Sequence, residues 1–150
     1  MKKTAIYLVL ILLALTGCKK YEEGPAISLR SKEARLCQEW KTDNYLQNGE
    51  SYIFFVEQYW NINKDGTMEM TTIYDENDEA TDTYSWRWVD NKESIEIQFS
   101  VEKKNHAFYP LKSTKTNEWI KLNIKKLKNE NLVFETEIEG ADYRIELIKK

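Results

Sequence analysis

Thr81-Asp82-Thr83-Tyr84-Ser85-Trp86-Arg87-Trp88-Val89, followed across Asp90-Asn91-Lys92 by Ile95-Glu96-Ile97-Gln98-Phe99-Ser100-Val101, is the stretch that decides the fold. In its first half Tyr84, Trp86 and Trp88 fall on one side of an extended chain, with Ser85 and Arg87 opposite. In its second half Ile95, Ile97, Phe99 and Val101 line one side, with Glu96, Gln98 and Ser100 on the other. Side chains of a strand alternate between faces, so this period of two describes a sheet with one dry and one wet face.

The same pattern recurs outward in both directions. On the N-terminal side, Thr67 to Tyr74 alternates, placing Met68, Met70, Thr72 and Tyr74 together. It is preceded by Asn63-Lys64-Asp65-Gly66-Thr67, a hairpin signal in which Gly66 takes a positive φ. Before that, Ser51 to Ile62 is rich in aromatics, read as a loop that becomes strand from Glu57. A strand from Trp40 to about Leu46 stops at the turn pair Asn48-Gly49. On the C-terminal side, residues 102–117 lack a period. Ile120, Leu122 and Ile124 resume it, and Leu127 falls in step only if a bulge occurs near Lys125-Lys126. Leu132, Phe134 and Ile138 form the next stripe, and Tyr143, Ile145 and Leu147 the last. Asp75 to Ala80 reads as an acidic turn. A short helix is expected over Lys32 to Cys37, capped by Ser28 or Ser31, with Leu29, Leu36 and Cys37 near one face.

About eight strands joined mostly by local turns predict an antiparallel meander. Closing it into an eight-stranded up-and-down barrel removes its two edges, and an interior of that size either fills with side chains or holds one small ligand. A two-sheet β-sandwich shares the strand pattern. The barrel is preferred because the hairpins are local and no long crossover is signalled.

The N-terminus reads as an address. Lys2 and Lys3 precede an apolar run from Ala5 to Leu15, too short to span a bilayer and suited to a signal peptide. The run ends in Leu15-Thr16-Gly17-Cys18, which resembles the bacterial lipobox that directs lipid onto the cysteine. The expected organisation is a signal peptide over 1–17, a lipidated tether over 18–30 and a barrel domain over 31–150. Acyl chains on Cys18 would anchor the protein, one chain marginally and two or more stably. The tether carries the breakers Gly24-Pro25. Its twelve extended residues span at most about 40 Å, which would let the domain stand clear of the headgroups. Glu22 and Glu23 resemble the acidic export signals of some surface lipoproteins of Bacteroidetes.

The 150 residues include 22 Lys plus Arg and 25 Asp plus Glu, a net charge of −3. Loss of 1–17 removes two Lys and no acid, leaving 20 bases against 25 acids and −5 over 133 residues. That balance excludes a basic nucleic-acid footprint. Two Cys and one His offer little for metal or thiol chemistry.

The order of motifs resembles the lipocalin-like lipoproteins of Bacteroidetes. It runs from the lipobox through Gly24-Pro25, Ser28-Leu29-Arg30-Ser31-Lys32, Arg35-Leu36 and Trp40 to Asn48-Gly49, Lys64-Asp65-Gly66-Thr67, and the strand around Trp86 followed by Ile95. Lipocalins proper open strand one with Gly-x-Trp, the Trp plugging a barrel end. Here the triplet is Gln38-Glu39-Trp40, with the Trp kept and the Gly absent. The resemblance implies an eight-stranded barrel with Trp40 as barrel-end plug, and supplies no catalytic residues.

Candidate chemistry is sparse. Cys37 is the one thiol left once Cys18 is acylated, and beside Leu36 it reads as a small buried residue. His106 stands alone in a polar stretch, short of the three or four ligands of a metal site. A Ser-His-Asp triad is arithmetically available but lacks a nucleophile elbow. Asp75-Glu76-Asn77-Asp78-Glu79 with Asp82 offers oxygens to calcium but lacks the Gly and terminal Glu of an EF-hand. No catalytic residue, metal or cofactor is therefore expected. Met68, Met70, Tyr84, Trp86, Trp88 and Phe99 are the candidates for a ligand pocket, though a well-packed barrel interior, the simpler reading, explains the same residues without any ligand. Tyr52, Phe54, Phe55, Tyr59 and Trp60 would cap the barrel mouth or form a contact patch.

The expected function is non-catalytic binding of a small hydrophobic or amphipathic molecule by a protein anchored in the bacterial cell envelope. The outer membrane is the favoured site, periplasmic or surface-exposed. The alternative is an accessory or adhesive lipoprotein with a filled barrel, binding an envelope protein or glycan through its loops.

Overall fold

The structure, a computed structural model, describes residues 21–23, 28–51, 56–76, 78–99 and 118–150. A short helix, α1 (Lys32–Leu36), precedes the strands β1 (Glu39–Gln47), β2 (Glu50–Ser51), β3 (Glu57–Ile62), β4 (Thr67–Asp75), β5 (Asp78–Val89), β6 (Ser94–Phe99), β7 (Trp119–Leu127), β8 (Asn131–Ile138) and β9 (Ala141–Lys149). From β3 to β9 each strand pairs antiparallel with the next, and β1 pairs with both β3 and β9. The sheet therefore closes on itself as an eight-stranded antiparallel barrel, with β2 a two-residue addition to β1. Among the described residues no helix is long and apolar enough to cross a membrane.

One barrel end carries α1 and the turns 63–66, 90–93 and 128–130; we call it the helix end. The opposite, loop end carries the turns after β1, β4 and β8 and the ends of β6 and β7 that flank residues 100–117. Residues 52–55 and 100–117, with Tyr52, Phe54, Phe55, Val101 and His106, lie outside the described residues, as do Cys18 and the segment 1–20.

Dry-face residues fill the helix half of the interior. Trp40, Trp60, Ile62, Met68, Ile95, Leu122, Leu127, Leu132 and Phe134 are all buried, and Trp60 stacks on Phe134 with ring centroids 6.2 Å apart. Side chains that water cannot reach at all leave no room between them for a guest. Ser31, rather than Ser28, caps α1: its hydroxyl accepts the Ala34 N–H at 3.1 Å. Arg35 of α1 is buried and donates to the Leu127 carbonyl at 2.7 Å, fastening the helix across the barrel end.

Four local readings change or sharpen. The bulge near Lys125 exists, with the β7–β8 register shifting between Ile124 and Lys126 and bringing Leu127 inward. Tyr74 does not join Met68, Met70 and Thr72 inside. A second register shift between Ile73 and Asp75 leaves it exposed. Leu29 does not pack with Leu36; it is fully exposed, because α1 starts only at Lys32. The expected acidic turn is also shorter, since β4 runs to Asp75 and β5 resumes at Asp78.

Gly66 shows how tightly a turn is specified. Its φ is +88°, and a Cβ there would sit 3.3 Å from the Trp86 carbonyl oxygen, which is held because the Trp86 N–H itself donates to Gly66 O at 2.7 Å. Gly49 has a similar φ of +83° but open space around it. Gly66→Ala is expected to cost about 1–3 kcal/mol through conformational strain plus crowding, and Gly49→Ala less because only the strain applies. Denaturant midpoints of the two variants check this order.

Candidate functional site

Polar side chains gather inside the barrel toward the loop end. On β1 the backbone ladder to β3 runs only from Glu39 to Lys41. Beyond it, where β1 and β3 have parted, the buried Gln58 side chain takes over the bonding. Its amide oxygen accepts from Tyr45 Oη at 3.0 Å, Thr42 Oγ1 at 3.3 Å and Trp60 Nε1 at 3.3 Å. Its amide nitrogen donates to Thr72 Oγ1 at 3.1 Å on β4. Trp60 Nε1 also donates to Thr42 Oγ1 at 3.1 Å. A buried amide is tolerated when its donors and acceptors are met, and Gln58 meets both kinds.

Asp82 and Tyr84 of β5 and Thr136 of β8 extend this polar layer, all buried. Burial, and next the Asp82 charge, push the Tyr84 phenol far above its ordinary range. Burial likewise raises the Tyr45 phenol, with Thr42 opposing and Tyr84 adding to the shift. Both hydroxyls therefore stay protonated, and that of Tyr45 is a neutral donor to Gln58. Gln58 and Thr72 lie at dry-face positions of β3 and β4, and Asp82 continues the stripe of Tyr84 and Trp86. An apolar stripe that turns polar toward one strand end is the signal the sequence offers, and the aromatics of the same strands outweigh it.

The expected pocket residues lie at different depths. Met68, Met70, Tyr84 and Trp86 face inward and are buried. Trp86 belongs to the helix end, its Nε1 donating to the Asn63 carbonyl at 2.8 Å. Trp88 packs partly buried against the core, edge-on to Trp86 at 5.6 Å. Phe99 pairs with Tyr84 at the end of β6, and its side chain lies outside the described part. Trp40 is wholly buried at the helix end and donates to the Leu36 carbonyl at 3.0 Å. Of the aromatics expected at the mouth, Trp60 is interior, while Tyr59 is half-buried on the outer wall beneath Lys41 and Lys150.

Cys37 is partly buried against the core, and burial pushes its thiol up to about 11, so little thiolate forms at neutral pH. Among the described residues no three His, Cys, Asp or Glu side chains converge on a point that could hold a metal.

No protein-family model matches the sequence. No curated protein matches it either. Two solved structures do. A lipocalin-like protein from Bacteroides uniformis ATCC 8492 superposes with a TM-score of 0.61 at 17% identity, over 77% of this chain and 99% of that one. The domain is lipocalin-like in fold. An uncharacterized protein from Bacteroides eggerthii DSM 20697 superposes with a TM-score of 0.52 at 12% identity, over 73% of this chain and 96% of that one. At such identities only the architecture carries across, and what a lipocalin-like barrel does must be argued from its own interior. In this one the helix half is solid and apolar, and the layer that differs chemically is the ring of Tyr45, Gln58, Thr72, Asp82, Tyr84 and Thr136.

Proposed function

We propose that this protein is a lipid-anchored lipoprotein of the bacterial envelope whose lipocalin-like barrel binds a small amphipathic molecule at its loop end. The anchor rests on the lipobox ending at Cys18. The binding role rests on one observation above the others: the loop half of the interior gathers buried polar side chains, the Asp82 carboxyl beside Tyr84 and the Gln58 amide bonded to Thr72. A polar layer that includes a carboxyl, set beside an apolar half, is the lining that an amphipathic guest requires, and it favours a role in recognition. The ligand that suits it has a hydrogen-bond-donating or cationic head for Asp82 and a short apolar body for the Met70 side of the interior. The role is non-catalytic and needs no cofactor or metal.

Tryptophan fluorescence titration with a primary alkylamine, the matching alcohol and the matching fatty acid tests this reading. Saturable binding with the amine tightest is expected. Asp82→Asn should weaken the amine by about tenfold or more, the scale of one charge-assisted hydrogen bond. Absence of saturable binding by all three would overturn the proposal and favour a filled barrel that acts through its loops.

A further inference from the structure

The arm that leads to the anchor is not free. Tyr21, Glu22 and Glu23 lie against the barrel, inside the segment read from sequence as tether. The Tyr21 ring is buried at the helix end, with its hydroxyl donating to the Lys92 carbonyl at 2.6 Å and the Lys32 ammonium 4.5 Å from its centroid. Two residues on, the Glu23 N–H donates to the Lys125 carbonyl at 2.8 Å. Lys125 is the residue skipped by the β7–β8 register at the bulge. A bulged residue is left out of the ladder, and the arm occupies the position this opens. Glu22 pairs with Lys125 at 2.9 Å, and Glu23 with Lys126 at 2.9 Å and Arg144 at 2.8 Å. Hydrogen bonds from Lys126 and then Arg144 hold the Glu23 carboxyl below its ordinary range, so it stays charged in mild acid.

We propose that Tyr21–Glu23 is a latch that fixes the lipidated arm to the barrel, holding the helix end against the phospholipid headgroups with the loop end directed away. This rests on Cys18 as the anchor. From Cys18 to Tyr21 the chain spans at most about 11 Å, whereas the same tether without the latch would reach about 40 Å.

The charge distribution agrees with this orientation. Every turn at the helix end carries an exposed lysine: Lys64, Lys92 and Lys128, joined by Lys149 and Lys150 where β9 ends. Acids share that end: Asp90 is paired with Lys121 at 2.6 Å and Glu39 with Lys150 at 3.5 Å, while Asp65, Glu93 and Glu130 are exposed, so the helix end carries both signs. Leu29, fully exposed beside Arg30, also lies there, at a groove of about 500 Å³ that Lys128 helps line. The loop end is acidic, with Asp75, Glu76, Asp78, Glu79, Glu139 and Asp142 exposed at its strand ends and turns. By sequence, residues 100–117 carry four Lys and one Glu, a smaller excess than the six acids named for this end. An anionic surface therefore repels the acidic loop end more than the mixed-charge helix end, whose exposed lysines can meet the headgroups.

The test uses the full lipidated chain in vesicles of phosphatidylethanolamine and phosphatidylglycerol doped with a headgroup-nitroxide lipid. In a Cys37→Ser background, a fluorophore is attached through Lys64→Cys at the helix end or Glu79→Cys at the loop end. Quenching several-fold stronger at position 64 than at 79 is expected. Inserting about ten Gly and Ser residues between Lys20 and Tyr21 leaves the latch intact but frees the anchor, and should abolish the difference. Glu22→Gln with Glu23→Gln should reduce it. Equal quenching at both positions in a protein that floats with the vesicles overturns the latch and leaves the anchor standing. A chain that does not float, or a Cys18→Ser variant that still does, overturns the anchor and the latch with it.

Discussion

Replacing Trp40 with alanine is expected to lower the thermal midpoint of the barrel by roughly 10–20 °C, the largest effect of any single substitution considered. Trp40 is wholly buried, and its Nε1 donates to the Leu36 carbonyl. Three things are lost together. The indole leaves a cavity that the closed barrel cannot collapse to fill, and large-to-small changes of an aromatic cost about 3–5 kcal/mol. The Leu36 carbonyl, at the last turn of α1, loses one of its two donors and keeps only the Gln38 N–H at 3.0 Å. Without that tie the helix keeps mainly the Arg35 bond to Leu127 to hold it across the barrel end. For a domain of this size each kcal/mol moves the midpoint by about 4 °C, which gives the stated range. Trp40→Phe retains most of the volume and loses only the hydrogen bond, so its loss should be less than half as great. Circular dichroism melts of the two variants check both numbers. A Trp40→Ala midpoint within a few degrees of the parent would show that the helix end carries little of the stability.

Gln58→Leu is expected to be the second largest, at about 2–4 kcal/mol, although it replaces a polar core residue by an apolar one of similar size. The usual expectation is that such a change is neutral if every partner changes too. Here the partners remain. Thr42, Tyr45 and Trp60 lose a shared acceptor, and Thr72 loses a donor. Thr72→Val alone should cost about 1 kcal/mol, and the double variant less than the sum, because one bond cannot be lost twice. Urea denaturation of the four proteins reads the coupling directly. Additivity would mean that the Gln58–Thr72 bond contributes nothing to the interior network.

These two sites differ in how they show in the sequence. Trp40 stands where a resemblance to lipocalin-like proteins places a barrel-end tryptophan. Gln58 has no such marker. It reads as a polar residue in an aromatic run, and its inward place follows only from the register that pairs Gln58 with Thr72 and Trp60 with Met70. The stripe Met68, Met70, Tyr84, Trp86 and Trp88 was visible as a common face, yet a shared face does not reveal depth. The turns and the Lys125 bulge were legible because each is written in residues next to one another. The docking of Tyr21–Glu23 was not, since its partners Lys92, Lys125, Lys126 and Arg144 are distant in the chain.

The sequence by itself determined the strand period and the turn positions, because alternation and turn chemistry are local properties. Whether those strands closed, and what closure placed side by side, was decided by the tertiary structure. Only the pairing of β1 with β9 makes an interior, and an interior has a depth. Its helix half is solid and apolar, its loop half contains a carboxyl and an amide, and its outer wall has a bulge that the N-terminal arm covers. Each of these joins residues from strands remote in the chain, and no local pattern records which remote residue arrives.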